Sequence, residues 1–209
     1  MTYQHWQHSE SALLRAAAKI YAQRTALSAL SPLVLMSDPA VHSDVCGAAR
    51  RAPKGCAVIY RHFGAQDRMH IARRLRQITF ARQQQFLIGN DPAMCSAVGA
   101  DGVHFTRSAS LVASALWRRR CPDWLITAAG IKGDYLGYTG DISVLDAIFI
   151  SSVFGSSSKS AGVPIGAARV HKIARALDVP VAALGGITDI TAGALTGTDV
   201  SSLAGRFVF

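Results

Sequence analysis

Eight short apolar runs recur along the 209-residue chain, at residues 33–36, 56–60, 86–88, 102–105, 124–127, 147–150, 179–184 and 200–203. Most of the intervals between them have helical composition. Apolar runs without in/out alternation are how strands covered on both faces look, and intervening helices imply parallel strands joined by crossovers. Eight such units in about 200 residues predict a compact α/β fold, a (β/α)8 TIM barrel, whose function lies at the C-terminal ends of its strands. A doubly wound open sheet is the other arrangement compatible with the pattern.

The whole chain, residues 1–209, reads as one barrel domain with residues 1–29 as an N-terminal helical extension. Helices are expected at about 9–28, 42–52, 65–83, 92–98, 109–119, 167–177 and 190–196. The first would be capped by Ser9 or Ser11, with Leu13, Leu14, Ala17, Ile20, Tyr21 and Leu27 near helical spacing. The chain runs only a few residues past the eighth strand, which leaves a truncated last helix. Helix 9–28 is expected to cover part of that side. Asp91-Pro92 is a good N-cap and N1 pair, with Gly99 as the C′ residue of the short helix it opens. The stretch from Gly130 to Gly140 reads as loop, and Ser151 to Gly166 as a long Ser/Gly-rich loop.

No apolar run approaches the roughly 20 residues that span a bilayer. The first eight residues have neither the basic nor the apolar region of a signal peptide, so a cytoplasmic location is expected. Cys46, Cys56, Cys95 and Cys121 form no Cys-x-x-Cys pair and read as buried reduced thiols. The net charge of +9 is carried mostly by arginine, in clusters at 50–51, 73–76 and 118–120. Such a surface attracts anions. No nucleic-acid-binding motif accompanies it, so solvated helix faces with affinity for phosphorylated metabolites are preferred over nucleic acid.

The strand end at 179–188, Val-Pro-Val-Ala-Ala-Leu-Gly-Gly-Ile-Thr, carries the most chemistry. Gly185 and Gly186 let the backbone approach a ligand closely and use φ > 0. Thr188 or Asp189 would cap the next helix, whose N–H groups would then face an anion. A tight turn that binds nothing is the plainer alternative.

Several strand ends resemble the thiamine-phosphate synthase/thiazole tautomerase family, over about residues 30–205. Ala183-Leu-Gly-Gly-Ile187 is similar to that family's seventh-strand phosphate loop and Ala100-Asp-Gly-Val-His104 to its fourth-strand signature. Asn90-Asp91 matches its Asn-Asp pair. Ser156-Ser157-Ser158-Lys159 is similar to its Thr-x-Thr-Lys loop, and Ser37-Asp38-Pro39 to its Thr-Asp-Pro. The resemblance implies a transferase of thiamine biosynthesis that joins hydroxymethylpyrimidine diphosphate to thiazole phosphate and releases pyrophosphate. It further implies Mg²⁺ held by aspartates, with small phosphorylated substrates as partners; a homodimer stays open. Carried over residue by residue, it makes Arg61 and Lys159 catalytic and Asp91 a metal ligand. Asn90, Ser156, Ser158, Gly185, Gly186 and Gly205 become phosphate-binding.

The sequence also departs from that pattern. The family's Gln-x-Arg-x-Lys on the second strand is here Ile59-Tyr60-Arg61-His62-Phe63. Thr106-Arg107-Ser108-Ala109 has no carboxylate where a second magnesium-binding aspartate is usual, and Arg107 would have to help replace it. The usual serine after the fifth strand falls at Ala128 or Ala129, and no histidine stands there for the tautomerase chemistry. The eighth-strand loop Ala204-Gly205-Arg206 keeps a glycine and lacks the usual serine. A diverged barrel that binds thiazole phosphate or a related phosphorylated ligand without coupling is therefore the alternative. Asp91 is also readable as only a helix cap, and His104 as a hydrogen-bonded residue of the barrel core or mouth.

Overall fold

The structure is a computed structural model that describes residues 3–23, 28–106, 110–130, 141–158 and 161–209. Eight parallel strands close into a barrel in the order of the sequence. They are β1 (Leu33–Met36), β2 (Ala57–Tyr60), β3 (Gln85–Gly89), β4 (Gly102–Phe105), β5 (Leu125–Ala129), β6 (Ala147–Ile150), β7 (Val181–Leu184) and β8 (Ser202–Gly205). The ring closes where Leu33 pairs with Leu203 and Leu35 with Gly205. Among the described residues six helices cover it: α1 (Ala12–Gln23), α2 (Val45–Arg51), α3 (Arg68–Ala81), α4 (Pro92–Val98), α5 (Ser110–Arg120) and α6 (Gly166–Ala176). The open doubly wound sheet is excluded by the β1–β8 pairing.

Alternate residues of each strand point to opposite faces, so every strand serves two cores. Val34, Met36, Ile59, Leu87, Phe149 and the alanines 57, 147, 182 and 204 fill the barrel interior. Leu33, Leu35, Val58, Phe86, Ile88, Val103, Ile126, Ile148 and Leu203 pack outward beneath the helices. Among the described residues His104, Thr127 and Ser202 are polar side chains buried on the interior face. His104 is buried, bonds Thr127 Oγ1 through Nδ1 at 3.0 Å, and meets the Phe149 ring edge-on at 4.8 Å. Burial lowers its pKa to about 3, so the imidazole is neutral.

The N-terminal helix covers the β8 side, as expected. It packs on β8 and on the short 3₁₀ turn Ala192–Leu195, which takes the place of the helix expected at 190–196. Its buried face is Leu13, Ala16, Ala17, Ala18 and Ile20. Preceding it, Tyr3 and Trp6 are buried; Tyr3 packs at a tilt against Trp6 and edge-on against Tyr21, and donates to Gly55 O. Those two aromatics went unread in the sequence because they fall outside any periodic segment.

The arginine clusters divide between solvent and structure. Arg73, Arg74, Arg119 and Arg120 are exposed. Arg76 instead pairs with Asp101, which also accepts from Phe86 N. Arg118 pairs with Asp146, which accepts from Ile126 N, and donates to the carbonyls of Pro122, Trp124 and Val144. Each of these two arginines thus braces an aspartate beside a strand start. Cys46, Cys56 and Cys95 are buried free thiols, and Cys121 is partly buried and free. Among the described residues, no helix is long and apolar enough to cross a membrane.

Candidate functional site

A cavity of about 460 Å³ opens at the C-terminal end of the barrel. Four strand ends contribute to it. β2 supplies Arg61, the loop after β6 supplies Ser156 and Ser158, the β7 loop supplies Gly185 and Gly186, and β8 ends in Gly205. Six of the nine residues singled out in the sequence therefore meet in one cavity.

The β7 loop is shaped by its glycines. Gly185 has φ +96° and Gly186 φ +67°. A Cβ on Gly186 would lie 2.3 Å from Gly155 O and 2.8 Å from Phe154 Cβ. Any side chain there would push the loop after β6 away from the loop after β7. The main-chain N–H groups of Gly186 and Ile187 make no hydrogen bond among the described residues. The loop folds back through Thr191, whose hydroxyl donates to Gly186 O at 2.8 Å and accepts from Thr188 N at 2.9 Å. Left-handed glycines with unpaired N–H groups at a strand end are a suitable seat for an anion.

Asp189 does something other than cap the following helix. It accepts from Leu13 N and from Ser11 Oγ, each at 2.8 Å, and so caps α1 from across the chain. Ser11 and Leu13 thereby become part of the cavity wall. The Ser11 hydroxyl contributes only a long 3.4 Å contact to Leu14 N. A single-chain reading of capping looks only at near neighbours and so misses a cap supplied from 176 residues away.

Arg61 is held by Ser37, whose Oγ accepts from Arg61 N at 2.8 Å and whose carbonyl accepts from Nε at 3.0 Å. Its two terminal nitrogens have no hydrogen-bond partner among the described residues. Burial lowers its pKa from the ordinary arginine value; Asp38 opposes this and Arg206 adds to it. Arg206 also lines the cavity. Its Nη1 is 3.1 Å from Asp38 Oδ2 and its Nη2 is 3.2 Å from Ser157 Oγ. Burial pushes the Asp38 carboxyl up, but the Ala40 N–H and the Arg206 guanidinium outweigh it and hold the group below the usual carboxylate value. Arg206 was read in the sequence only as the replacement of a serine; its place directly after the eighth-strand glycine was the available signal.

Three expected residues are not among those that line the cavity, one of them because it is not described. Lys159 lies outside the described residues, as do Arg107 and residues 131–140. Asn90, with φ +53°, clasps Thr106: Nδ2 donates to Thr106 Oγ1 at 2.5 Å and Oδ1 accepts from Thr106 N at 2.9 Å. Asp91 caps α4 by accepting from Met94 N at 2.9 Å, and its other oxygen accepts from Arg68 Nη1 at 2.8 Å.

The magnesium expectation can be tested on these contacts. Both Asp91 oxygens are engaged, one of them by a guanidinium that already balances its charge. Mg²⁺ demands near-octahedral oxygen ligation and is usually held by one or two carboxylates together with substrate phosphates, which needs a carboxylate oxygen free to face them. Among the described residues there is no group of three or more His, Cys, Asp and Glu that could hold a metal. The described residues do not fit the ion. The family's other second-strand positions also lack polar groups: Ile59 is buried inside the barrel, and Phe63 lies half exposed with Arg68 over its ring at 5.5 Å.

Comparison with known proteins agrees with the geometry. A family model described as thiamine monophosphate synthase matches residues 33–206. A thiamine-phosphate synthase from Azoarcus sp. is 34% identical over 144 residues, covering 64% of this chain and 64% of that protein, slightly under two thirds of its length. One from Alcanivorax borkumensis is 28% identical over 193 residues, covering 86% and 88%. Among solved structures, a thiamine phosphate pyrophosphorylase from Pyrococcus furiosus matches with a TM-score of 0.63 at 22% identity, over 82% of this chain and 83% of that one. A glycerol uptake operon antiterminator regulatory protein from Listeria monocytogenes matches with a TM-score of 0.57 at 14% identity, over 88% and 96%. The two structural likenesses speak to the fold.

Proposed function

Because the chain belongs to the thiamine monophosphate synthase family, we propose that its cavity takes a thiazole phosphate and joins it to hydroxymethylpyrimidine diphosphate. The observation that carries this reading is the convergence of Gly185–Gly186, Gly205, Ser156, Ser158 and Arg61, from four strand ends, on one cavity. Its volume of about 460 Å³ is that of a small-ligand site. Phosphate oxygens would take the N–H groups of the β7 loop and the serine hydroxyls. In the reaction the methylene C–O bond to the diphosphate breaks, the thiazole nitrogen supplies the electron pair of the new C–N bond, and pyrophosphate leaves. Charge stabilisation of the leaving group then matters more than a protein nucleophile.

Arg61 is the fixed cation of this reading, and Lys159, next to Ser158, is its proposed second. Asn90 would reach a phosphate only by giving up its clasp on Thr106. Asp91 is assigned to α4 and Arg68, and no step passes through a metal.

One observation favours a second reading, in which the barrel binds the thiazole phosphate without coupling: the engagement of Asp91 by Arg68. A single-turnover assay with both substrates separates the two. Formation of thiamine phosphate together with pyrophosphate supports coupling. Tight binding of thiazole phosphate without product supports the second reading. Failure to bind thiazole phosphate removes both.

A further inference from the structure

Two arginines of the cavity wall, Arg61 and Arg206, are connected through the Asp38 carboxylate, a link that the sequence pattern did not single out. The segment after β8 brings Arg206 to Asp38 at 3.1 Å and to Ser157 at 3.2 Å. The segment after β1 carries Asp38 together with Ser37, which holds Arg61. His42 ties these segments to each other. Its Nδ1 accepts from Asp38 N at 3.2 Å, which leaves Nε2 to donate to Phe207 O at 2.8 Å. The loop after β1 and the segment after β8 are therefore joined through His42 as well as through the ion pair.

One guanidinium fork is open to an anion. Asp38 stands within electrostatic reach of both guanidiniums and relieves their mutual repulsion. Asp189, the carboxylate that lines the cavity, is engaged by Ser11 and Leu13 N, so the described charges balance, and the cation open to a ligand is the Arg61 fork, whose terminal nitrogens have no hydrogen-bond partner among the described residues. Guanidinium forks pair with phosphate oxygens bidentately, at fixed geometry and without a metal. The acidic alternative is closed, because Asp91 is committed to Arg68 and Met94 N, Asp38 to Arg206 and Ala40 N, and Asp189 to Ser11 and Leu13 N.

We propose that Arg61 and Arg206 form a metal-independent clamp for a diphosphate, with Asp38 as the residue that positions the second arginine. The clamp would take pyrophosphate or the diphosphate end of an organic diphosphate. This deepens the coupling reading and rests on it for the identity of the organic group only.

The test is a calorimetric titration of the intact protein with inorganic pyrophosphate, once in chelator and once with Mg²⁺, and a parallel titration with thiazole phosphate. Pyrophosphate is expected to bind in chelator. Arg206→Gln is expected to weaken that binding about 10- to 100-fold, the range for a lost charged hydrogen-bond pair. Arg206→Lys, which keeps the charge and loses the fork, is expected to fall between. Pyrophosphate binding that disappears in chelator overturns the clamp. So does an Arg206→Gln variant that melts earlier but binds pyrophosphate as the parent does, since Arg206 is then only a brace. Binding of pyrophosphate in chelator without binding of thiazole phosphate overturns the coupling reading and leaves the clamp standing.

Discussion

Arg68 Nη1 lies 2.8 Å from Asp91 Oδ2, and the same guanidinium donates to Gly89 O through Nη2 at 2.8 Å. Two consecutive β/α units are thus stapled at the point where a magnesium ligand was expected. The staple makes a specific prediction for Asp91→Asn. Asparagine caps a helix about as well as aspartate, so only the ion pair is lost. The variant should lose about 1–2 kcal/mol, because Arg68 is left partly buried and unpaired. Coupling, if present, should change by less than about tenfold, whereas loss of a working metal ligand would cost about 10²–10³. Urea denaturation and a steady-state assay on the same preparation decide between the two roles.

Gly186→Ala should damage the site directly. At φ +67° a side chain costs about 1–2 kcal/mol in backbone conformation alone. The added Cβ would also meet Gly155 O at 2.3 Å and force two cavity loops apart. The melting temperature should fall, and the affinity for thiazole phosphate should drop at least about tenfold. Thermal unfolding and calorimetry are the two readouts, and unchanged affinity would remove the β7 loop from the binding site.

Asp189→Ala should release the N-terminal helix from the cavity wall. Loss of a helix cap costs about 1–2 kcal/mol. Amide exchange in α1 should accelerate while the interior strands stay protected. The Leu13 N–H, followed by the Ser11 hydroxyl, holds the Asp189 carboxyl below its ordinary value. A carboxylate whose folded pKa is depressed stabilises the fold above its unfolded pKa, and that contribution is lost as pH falls through the folded value. The α1 anchor should therefore be complete above about pH 4–5 and loosen in stronger acid. Protection factors in α1, corrected for the intrinsic pH dependence of exchange, that stay constant between these regimes would contradict the assignment.

His104 predicts a second acid response, at higher pH. Its folded pKa of about 3 lies below the unfolded value, so the unfolded chain binds the proton first. Stability should fall as pH drops from about 6.5 toward the folded pKa, by up to about 1.4 kcal/mol per pH unit for this one group. His104→Gln cannot take up the proton and should flatten that slope. Denaturant midpoints at a series of pH values between about 4 and 7 report the difference.

Much of this architecture is legible without coordinates, because strand runs of Val34-Leu35-Met36 type are apolar on both faces and repeat eight times. The caps that depend on near neighbours are legible as well: Asp91 accepts from Met94 N, and Gly99 adopts φ +65°, where an Asp-Pro start and a terminal glycine place them. Gly185 and Gly186 announce themselves because few other reasons put two glycines at the end of an apolar run. Arg206, Asp38 and Asp189 do not announce themselves. An arginine or aspartate in a loop has the same local pattern whether it faces solvent, a ligand or a partner 168 residues away, as Arg206 and Asp38 are.

The sequence by itself determined the eight-fold alternation, hence the parallel barrel, and it marked the strand ends that gather Arg61, Ser156, Ser158, Gly185, Gly186 and Gly205. Burial periodicity and glycine conformation are local properties, set by each segment's own side chains. The pairing of charges was decided only when the barrel closed. Closure brought β8 beside β1, set Arg206 on Asp38, gave Asp189 the N-terminus of α1, and turned Asp91 toward Arg68. Ion pairs and long-range caps follow distance in space, which the order of residues does not carry.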